Sequence, residues 1–488
     1  MELEKFLESF YCPPYLHFDR RFRTSVSKHG EMLAEPRMVA KHKFYPFLRE
    51  TQIRKRFVEN EEGQRVIAPK LRHITYPSHV DALIYAYYSG LISERYEKIM
   101  AKRKRIGRAV LAFRTFNPPK NHIDHAKETF NEIKNRKECA VLAFDVKGFF
   151  DSIDHKTLKA ALKSVLGVNE LPEDHYRVFK HLTQYRYVDL SALKNALEPV
   201  SPDNKKPQVV CTRKKLEALA DAGKIVVEQN KDKGIPQGAS ISTLLSNVYM
   251  LDFDAKMLET VGKSGVYRRY CDDLFFIVPK KKAQTVRQTV LEELAKIKLE
   301  ANPSKSEMYI CQKREDGSHS VVKIDENGVP VPGAGIQYLG FLFNGKSVRL
   351  RDSTLARFQI KMKKTLEKAV YLLRKRKIMA LAEEKGDIIY RKGLNSAVIS
   401  IPDSEFKRFR RGLLRRFAVP HPARSCAETT SMKNFNFADY VNKAAKIMGA
   451  EQEKSIPKQF GRAVKIFDKK LAAELKKNGI VVKSEPRA

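Results

Sequence analysis

The chain has no tryptophan, six cysteines, no long apolar run and an excess of bases over acids. Loss of tryptophan excludes nothing on physical grounds; the other features narrow the possibilities. The cysteines (Cys12, Cys139, Cys211, Cys271, Cys311, Cys426) are scattered, with no C-x-x-C pair and no zinc quartet. That usage suits a reducing cytoplasm and argues against a zinc-finger nuclease module. No apolar run approaches the roughly 18–20 residues of a spanning helix, so no membrane role is expected. The opening "MELEKFLESFYCPPYL" lacks a basic stretch followed by an apolar one, so no signal peptide is expected. Acids number 57 against 93 Lys and Arg, a net charge of +36. Such an excess points to a polyanionic partner, nucleic acid before all others, because neutralised phosphates release counterions.

At 488 residues the chain is long enough for several structural units, and no internal repeat is visible. Residues 79–100 place apolar and aromatic residues at helical spacing, with Gly90 as an expected interruption. "KRKRIGRAVLAFRTF" passes from a basic patch to a strand-like run. "CAVLAFDV" reads as a strand buried on both faces. "DHKTLKAALKSVLG" reads as a helix capped by Asp154 and stopped at Gly167. "SISTLLSNVYMLDFDAKML" is apolar nearly all round, as a deeply buried helix would be. "SVVKIDENGVPVPG" reads as a small hairpin, and "GIQYLGFLFNGKSVRL" as two strands turning at Asn344-Gly345. Phe358, Met362, Leu366, Val370 and Leu373 mark one face of a basic helix, an arrangement repeated in "FKRFRRGLLRRF". Residues 168–233 are polar and assign poorly beyond a helix around "HYRVFKHLTQYRYV". The last ten residues are expected to fray.

Three separated stretches carry chemistry when taken together: "FDVKGFFDSIDH" (144–155), "GIPQGASISTLLSN" (234–247) and "YCDD" (270–273). Alone, each has a bland explanation: a capped strand end, a tight turn before a helix, a pair of turn-forming aspartates. Carboxylates converging at strand ends would repel unless divalent cations lay between them. Mg²⁺, a hard ion that keeps room for substrate phosphate, suits such oxygen ligands, and two such ions suit nucleotidyl transfer.

In this order the stretches resemble the reverse transcriptase family. The resemblance covers about residues 70–375 and implies an α+β, right-hand polymerase fold: fingers, a palm with an antiparallel sheet, a helical thumb, and extra N- and C-terminal segments. The implied division is 1–65 N-terminal extension, 66–350 fingers and palm, 351–420 basic thumb and 421–488 C-terminal extension. Asp145, Asp272 and Asp273 become the catalytic set, holding two Mg²⁺ (Mn²⁺ as a substitute) with the carbonyl of Val146. Phe150, five positions after Asp145, becomes a steric gate against a ribose 2′-OH, with Phe149 or Phe150 otherwise serving the core. Gln237 is expected to position the template or dNTP. Lys305, in "LEANPSKSEMY", is expected to approach the triphosphate. "YLGF" resembles a primer-grip hairpin, making Tyr338, Leu339 and Gly340 primer contacts. Lys361 and Lys364 are expected to face template–primer phosphates, although solvated helix faces account for such residues too. Arg114 is a candidate grip on the triphosphate, since a guanidinium forks onto phosphate; a surface arginine explains it nearly as well. Asp151 is read as a polar anchor.

The segments 76–99 and 338–364 most resemble the defence-associated bacterial enzymes near the group II intron and retron lineages. That implies a cytoplasmic RNA-directed DNA polymerase acting against phage. Its partners would be dNTPs, a cDNA product and an RNA template encoded beside the gene as a noncoding RNA, with oligomer formation left open. An intron maturase-like RNA-binding and splicing protein is one alternative. An RNA-templated RNA polymerase is the other, disfavoured by Phe150 and by Tyr-x-Asp-Asp in place of Gly-Asp-Asp.

Overall fold

Residues 47–76 build a long antiparallel ribbon, β1 (Phe47–Glu59) against β2 (Arg65–Tyr76), in continuous register from Leu48↔Tyr76 to Glu59↔Arg65. The ribbon was hidden in the sequence, where its basic residues obscure the two-residue period of a strand. The structure is a computed structural model and describes residues 2–12, 14–22, 29–59, 64–197, 209–325, 327–331, 333–384, 398–417, 436–449 and 455–483. Cys426 lies outside them. The chain divides into two compact units, Met1–Thr115 with Ala140–Met308 and Phe116–Cys139 with Tyr309–Ala488.

In the first unit a helix runs unbroken through Gly90, from His79 to Lys102, with Tyr85, Tyr88, Ile92 and Tyr96 buried. Packing outweighs the roughly 1 kcal/mol that an interior glycine costs a helix. Ser78 caps it, its hydroxyl accepting from Asp81 N, and Asp19 accepts from the amides of His79 and Val80. "KRKRIGRAVLAF" makes a short helix, Lys104–Ala109, and then only a single bridge, Val110 to Arg269, rather than a strand.

The centre of this unit is β3 (Glu138–Asp145), buried as its apolar run requires. β4 (Arg186–Asp189) pairs in parallel with the base of β1, and β5 (Glu228–Gln229) pairs with β4. The hairpin β6 (Val266–Tyr270) and β7 (Asp273–Val278) lies against β3, so that β3, β7 and β6 are successive antiparallel neighbours. Helix His155–Leu166 begins at Asp154, whose Oδ1 accepts from Thr157 N at 2.9 Å, and ends at Gly167 in the left-handed region. The apolar stretch at 240–261 forms two helices rather than one, Ser240–Tyr249 and Leu251–Val261, joined at Met250.

The second unit contains β8 (Glu307–Lys313), β9 (His319–Ile324) and β10 (Pro330–Val331), the last two forming the expected hairpin. A three-stranded meander follows, β11 (Ile336–Tyr338), β12 (Phe341–Phe343) and β13 (Val348–Leu350). It turns at Asn344–Ser347 as expected, but also at Leu339-Gly340. The extra turn was hidden because leucine rarely adopts the positive φ, +45°, that it has here. Helix Asp352–Glu384 buries Phe358, Met362, Leu366 and Val370 against Leu413 and Phe417 of helix Asp403–Phe417. Phe467, Leu471 and Leu475 of helix Ser455–Lys477 complete this core. β14 (Ile399–Pro402) pairs in parallel with β15 (Ile480–Lys483), so the region expected to fray includes an ordered strand. The whole is an α+β protein.

Candidate active site

The apolar run of β3 ends on Asp145, and the register sets Asp145 opposite Asp273 at the start of β7. Between β6 and β7 the chain turns through Cys271, at φ +60°, and Asp272. Val146 N donates to the carbonyl of Asp272 at 3.1 Å, tying the strand end to this turn. Asp272 is half-buried. Burial raises its pKa, the neighbouring negative charge of Asp145 raises it further, and the Cys271 thiol and Lys305 act in the opposite direction. Asp273 is exposed, and its charge bears on Tyr270, whose hydroxyl pKa is raised chiefly by burial.

The loop 302–305 closes one side. Asn302 N donates to the carbonyl of Asp145 at 2.7 Å, and Lys305 Nζ lies 2.6 Å from Asp145 Oδ2. Asn302 is a contact that sequence reasoning missed; only the polar "NPSK" turn hinted at it. Lys305 supplies the local positive charge that converging carboxylates require.

The Gly-Ile-Pro-Gln-Gly turn fits tightly on two sides. Gly234 N donates to Ile153 O at 2.7 Å and Ile235 N to Phe150 O at 2.9 Å. Thr75 N, on β2, donates to Gln237 O at 2.8 Å. A Cβ on Gly238, at φ +132°, would fall 2.3 Å from Thr75 O, so glycine is required there. The Gln237 side chain points to Asp151, 3.4 Å from each carboxylate oxygen. Partial burial raises the pKa of Asp151, against the opposing pull of Gln237 and His73. His73 and Thr75 belong to the ribbon, so their place beside the turn could not be read from sequence. Phe149 is the core member of the aromatic pair, and Phe150 is half-buried.

Arg114 is held in a network of its own. Its guanidinium spans Glu97, with Nη2 to Oε2 at 2.6 Å, and also donates to the carbonyls of Gly107 and Val110. It is 7% exposed. A grip on triphosphate would require this network to open, so its geometry is that of a structural anchor.

Oxygen donors suit a hard divalent ion. Asp145 and Asp272 converge, and the Val146 carbonyl beside them accepts no hydrogen bond from a described residue. Among the described residues, no three His, Cys, Asp or Glu side chains are gathered tightly enough to hold a metal by themselves. The donor chemistry fits a metal as two carboxylates with a main-chain oxygen, rather than as a closed cage of side chains.

In the second unit, Tyr338, Leu339 and Gly340 form the β11–β12 turn, with Tyr338 buried and Leu339 half-buried. Lys361 and Lys364 are exposed on helix Asp352–Glu384, lining a shallow groove of about 430 Å³ with Arg357, Ile360, Thr365 and Lys368. No described helix is long and apolar enough to cross a membrane.

A carboxylate-bearing strand end and hairpin on an antiparallel sheet, with a glycine-bounded turn beside them, define a polymerase-like palm. Residues 92–343, just over half of the chain, match the family described as reverse transcriptase (RNA-dependent DNA polymerase). The chain belongs to that family. No curated protein matches it. Among solved structures it is similar to apo telomerase from Candida tropicalis truncated from its C-terminal domain (TM-score 0.38, 13% identity, 67% of this chain and 59% of that one). It is also similar to telomerase from Candida albicans in complex with a TWJ fragment of telomeric RNA (TM-score 0.37, 10% identity, 98% and 69%). The chain thus spans 59% of the first of these.

Proposed function

We propose that this chain is an RNA-directed DNA polymerase that copies a cognate noncoding RNA into cDNA by two-metal nucleotidyl transfer, in bacterial anti-phage defence. The observation that carries the polymerase reading is the register Asp145↔Asp273 with Asp272 in the intervening turn, where Asp145 electrostatically destabilises the Asp272 carboxylate. Asp145, Asp272, Asp273 and the Val146 carbonyl would hold Mg²⁺, or Mn²⁺ in its place. When bound, the ions supply activation of the primer hydroxyl and charge neutralisation at the pyrophosphate.

The chain's own residues do the rest. Lys305 holds its ammonium at the edge of the carboxylates, within reach of a triphosphate. Phe150 presents a half-exposed ring that disfavours a 2′-OH, and Gln237, steadied by Asp151, orients the incoming base pair. The 338–340 turn holds the primer, and Lys361 and Lys364 take template–primer phosphates. We assign residues 66–350 to fingers and palm and 351–420 to the thumb, with 1–65 and 421–488 as extensions. The defence role and the adjacent RNA partner rest on the resemblance of segments 76–99 and 338–364, and a cytoplasmic setting goes with them.

The test uses purified protein with its co-purifying nucleic acid, Mg²⁺ and labelled dNTPs or rNTPs. Wild type is compared with the Asp272→Ala, Asp273→Ala double variant. Incorporation of dNTPs that vanishes in the variant and after RNase treatment supports the polymerase, and the product sequence identifies the template. Tight RNA binding without incorporation in either protein overturns it in favour of a maturase-like RNA clamp. Phage challenge of bacteria carrying the gene, wild type or double variant, tests the defence role: equal plaque counts reject it.

A further inference from the structure

Arg269 is a full positive charge with no solvent exposure, two residues before the turn that carries Asp272. Its Nε and Nη2 donate to Asp254 Oδ1 and Oδ2 at 2.8 and 2.6 Å. Its Nη1 donates to Asn247 Oδ1 at 2.9 Å and to the carbonyl of Cys271 at 3.3 Å. Asp254, equally buried, also accepts from the Tyr267 hydroxyl at 2.7 Å. Asn247 uses its other end, Nδ2 donating to Ala112 O at 3.0 Å. The main chain joins the same knot, Leu111 N donating to Arg269 O at 2.9 Å. Three segments therefore meet on one guanidinium, the helix carrying Asn247, the helix carrying Asp254 and the β6–β7 turn, and 110–112 is tied to the same knot through Asn247 and the Arg269 main chain.

A buried ion pair is weak evidence for stability, since apolar residues of similar volume often serve as well. What apolar residues could not do is hold the Cys271 carbonyl. Cys271 sits in the left-handed region, which a residue with a Cβ adopts only against steric strain and keeps only where surroundings impose it. Its carbonyl orientation sets the direction in which the next side chain, Asp272, leaves the turn.

We propose that Arg269, Asp254 and Asn247 are positioning residues that hold the left-handed turn at Cys271 and thereby aim the Asp272 carboxylate. Arg269 is the only one touching the turn, and Asp254 and Asn247 act by fixing its fork. This rests on the polymerase reading for its consequence, but its geometry can be tested without turnover.

The test compares wild type with Arg269→Lys, which keeps the charge but cannot span Asp254 and Cys271 O together, and with the apolar pair Arg269→Met, Asp254→Leu. Each is measured for melting temperature, for Mn²⁺ affinity by electron paramagnetic resonance without nucleic acid, and for kcat and KM with primer–template and dNTP. Mn²⁺ affinity and kcat are expected to fall about 10- to 100-fold, with KM for primer–template unchanged. Adding Cys271→Gly, which adopts positive φ without strain, should recover part of the lost affinity and rate.

Folded variants that bind Mn²⁺ as tightly as wild type overturn the proposal, whatever their activity. So does failure of Cys271→Gly to recover any affinity, since a purely structural role would not respond to the turn's own preference. If the apolar pair does not fold, Arg269→Lys decides by the same readouts. A wild type that binds Mn²⁺ but incorporates no nucleotide rejects the polymerase reading and leaves the positioning result to be read from affinity alone.

Discussion

Asp154 shows how one carboxylate near the site can be read as structure rather than chemistry. Burial alone would raise its pKa, but Lys298 Nζ at 2.6 Å from Oδ2 and the bonds from Thr157 outweigh burial, bringing it from 3.8 to about 2. A depressed folded-state pKa contributes stability that is present above about pH 4 and is lost as pH falls towards 2. Asp154→Ala should therefore cost about 1 kcal/mol at neutral pH, the usual value of such a cap. Thermal melts at pH 6 and pH 3 should show the gap between wild type and variant narrowing on acidification; a constant gap would contradict this account. Phe150 stands for the opposite case, a half-buried ring packed edge-on against Phe149, for which the proposed role is the sugar gate. Phe150→Ala should raise the relative kcat/KM for rNTP over dNTP by roughly 10- to 200-fold, the range that pocket shape alone supplies. Single-nucleotide incorporation on one primer–template measures the ratio, and no change would remove Phe150 from the sugar pocket.

At the scale of elements, what was legible followed from local chemistry. The apolar run 139–144 implies a doubly buried strand, whereas Asp145, Asp272 and the Gly234–Gly238 turn stood out only through the order of three motifs that resemble those of reverse transcriptases, each alone having a bland explanation. Features that depend on distant partners were not legible. Arg114 reads in the sequence as a triphosphate grip or a surface residue, and its ion pair with Glu97, 17 positions away, arises only from the fold; the β1–β2 ribbon was masked by its own charge. Asn247 matched a motif, yet its contact with Arg269 comes only from folding. The β11–β12 turn is the sharpest instance, since both central residues, Leu339 and Gly340, have positive φ, the geometry of tight two-residue hairpins. Leu339→Gly should relieve strain and raise stability by about 1 kcal/mol, visible as a higher melting temperature. If the leucine side chain grips the primer, the same variant should lose processivity on a long template. A more stable variant with unchanged product lengths would make Leu339 a strained turn residue without a primer contact.

At the scale of the whole molecule, the net charge of +36 must be separated into contacts that matter and charge that is merely solvated. Lys361, Lys364 and Lys368 provide the test, because all three are exposed and line one groove on the same helix. A phosphate contact releases counterions, so its loss weakens binding without regard to sequence and lowers the slope of log K against log salt by about 0.7–0.9. The triple alanine variant should therefore lose about 2–3 from the magnitude of that slope if all three touch phosphate. Its kcat at saturating primer–template should match wild type, since losing a phosphate contact made equally in the ground and transition states weakens binding without slowing the bound complex. Filter binding across a salt series, on two RNAs of unrelated sequence, measures the slope. An equal loss on both RNAs assigns the groove to the backbone. An unchanged slope would assign these lysines to solvent, and the excess charge acting on nucleic acid would then have to lie on other surfaces, the basic β1–β2 ribbon first among them.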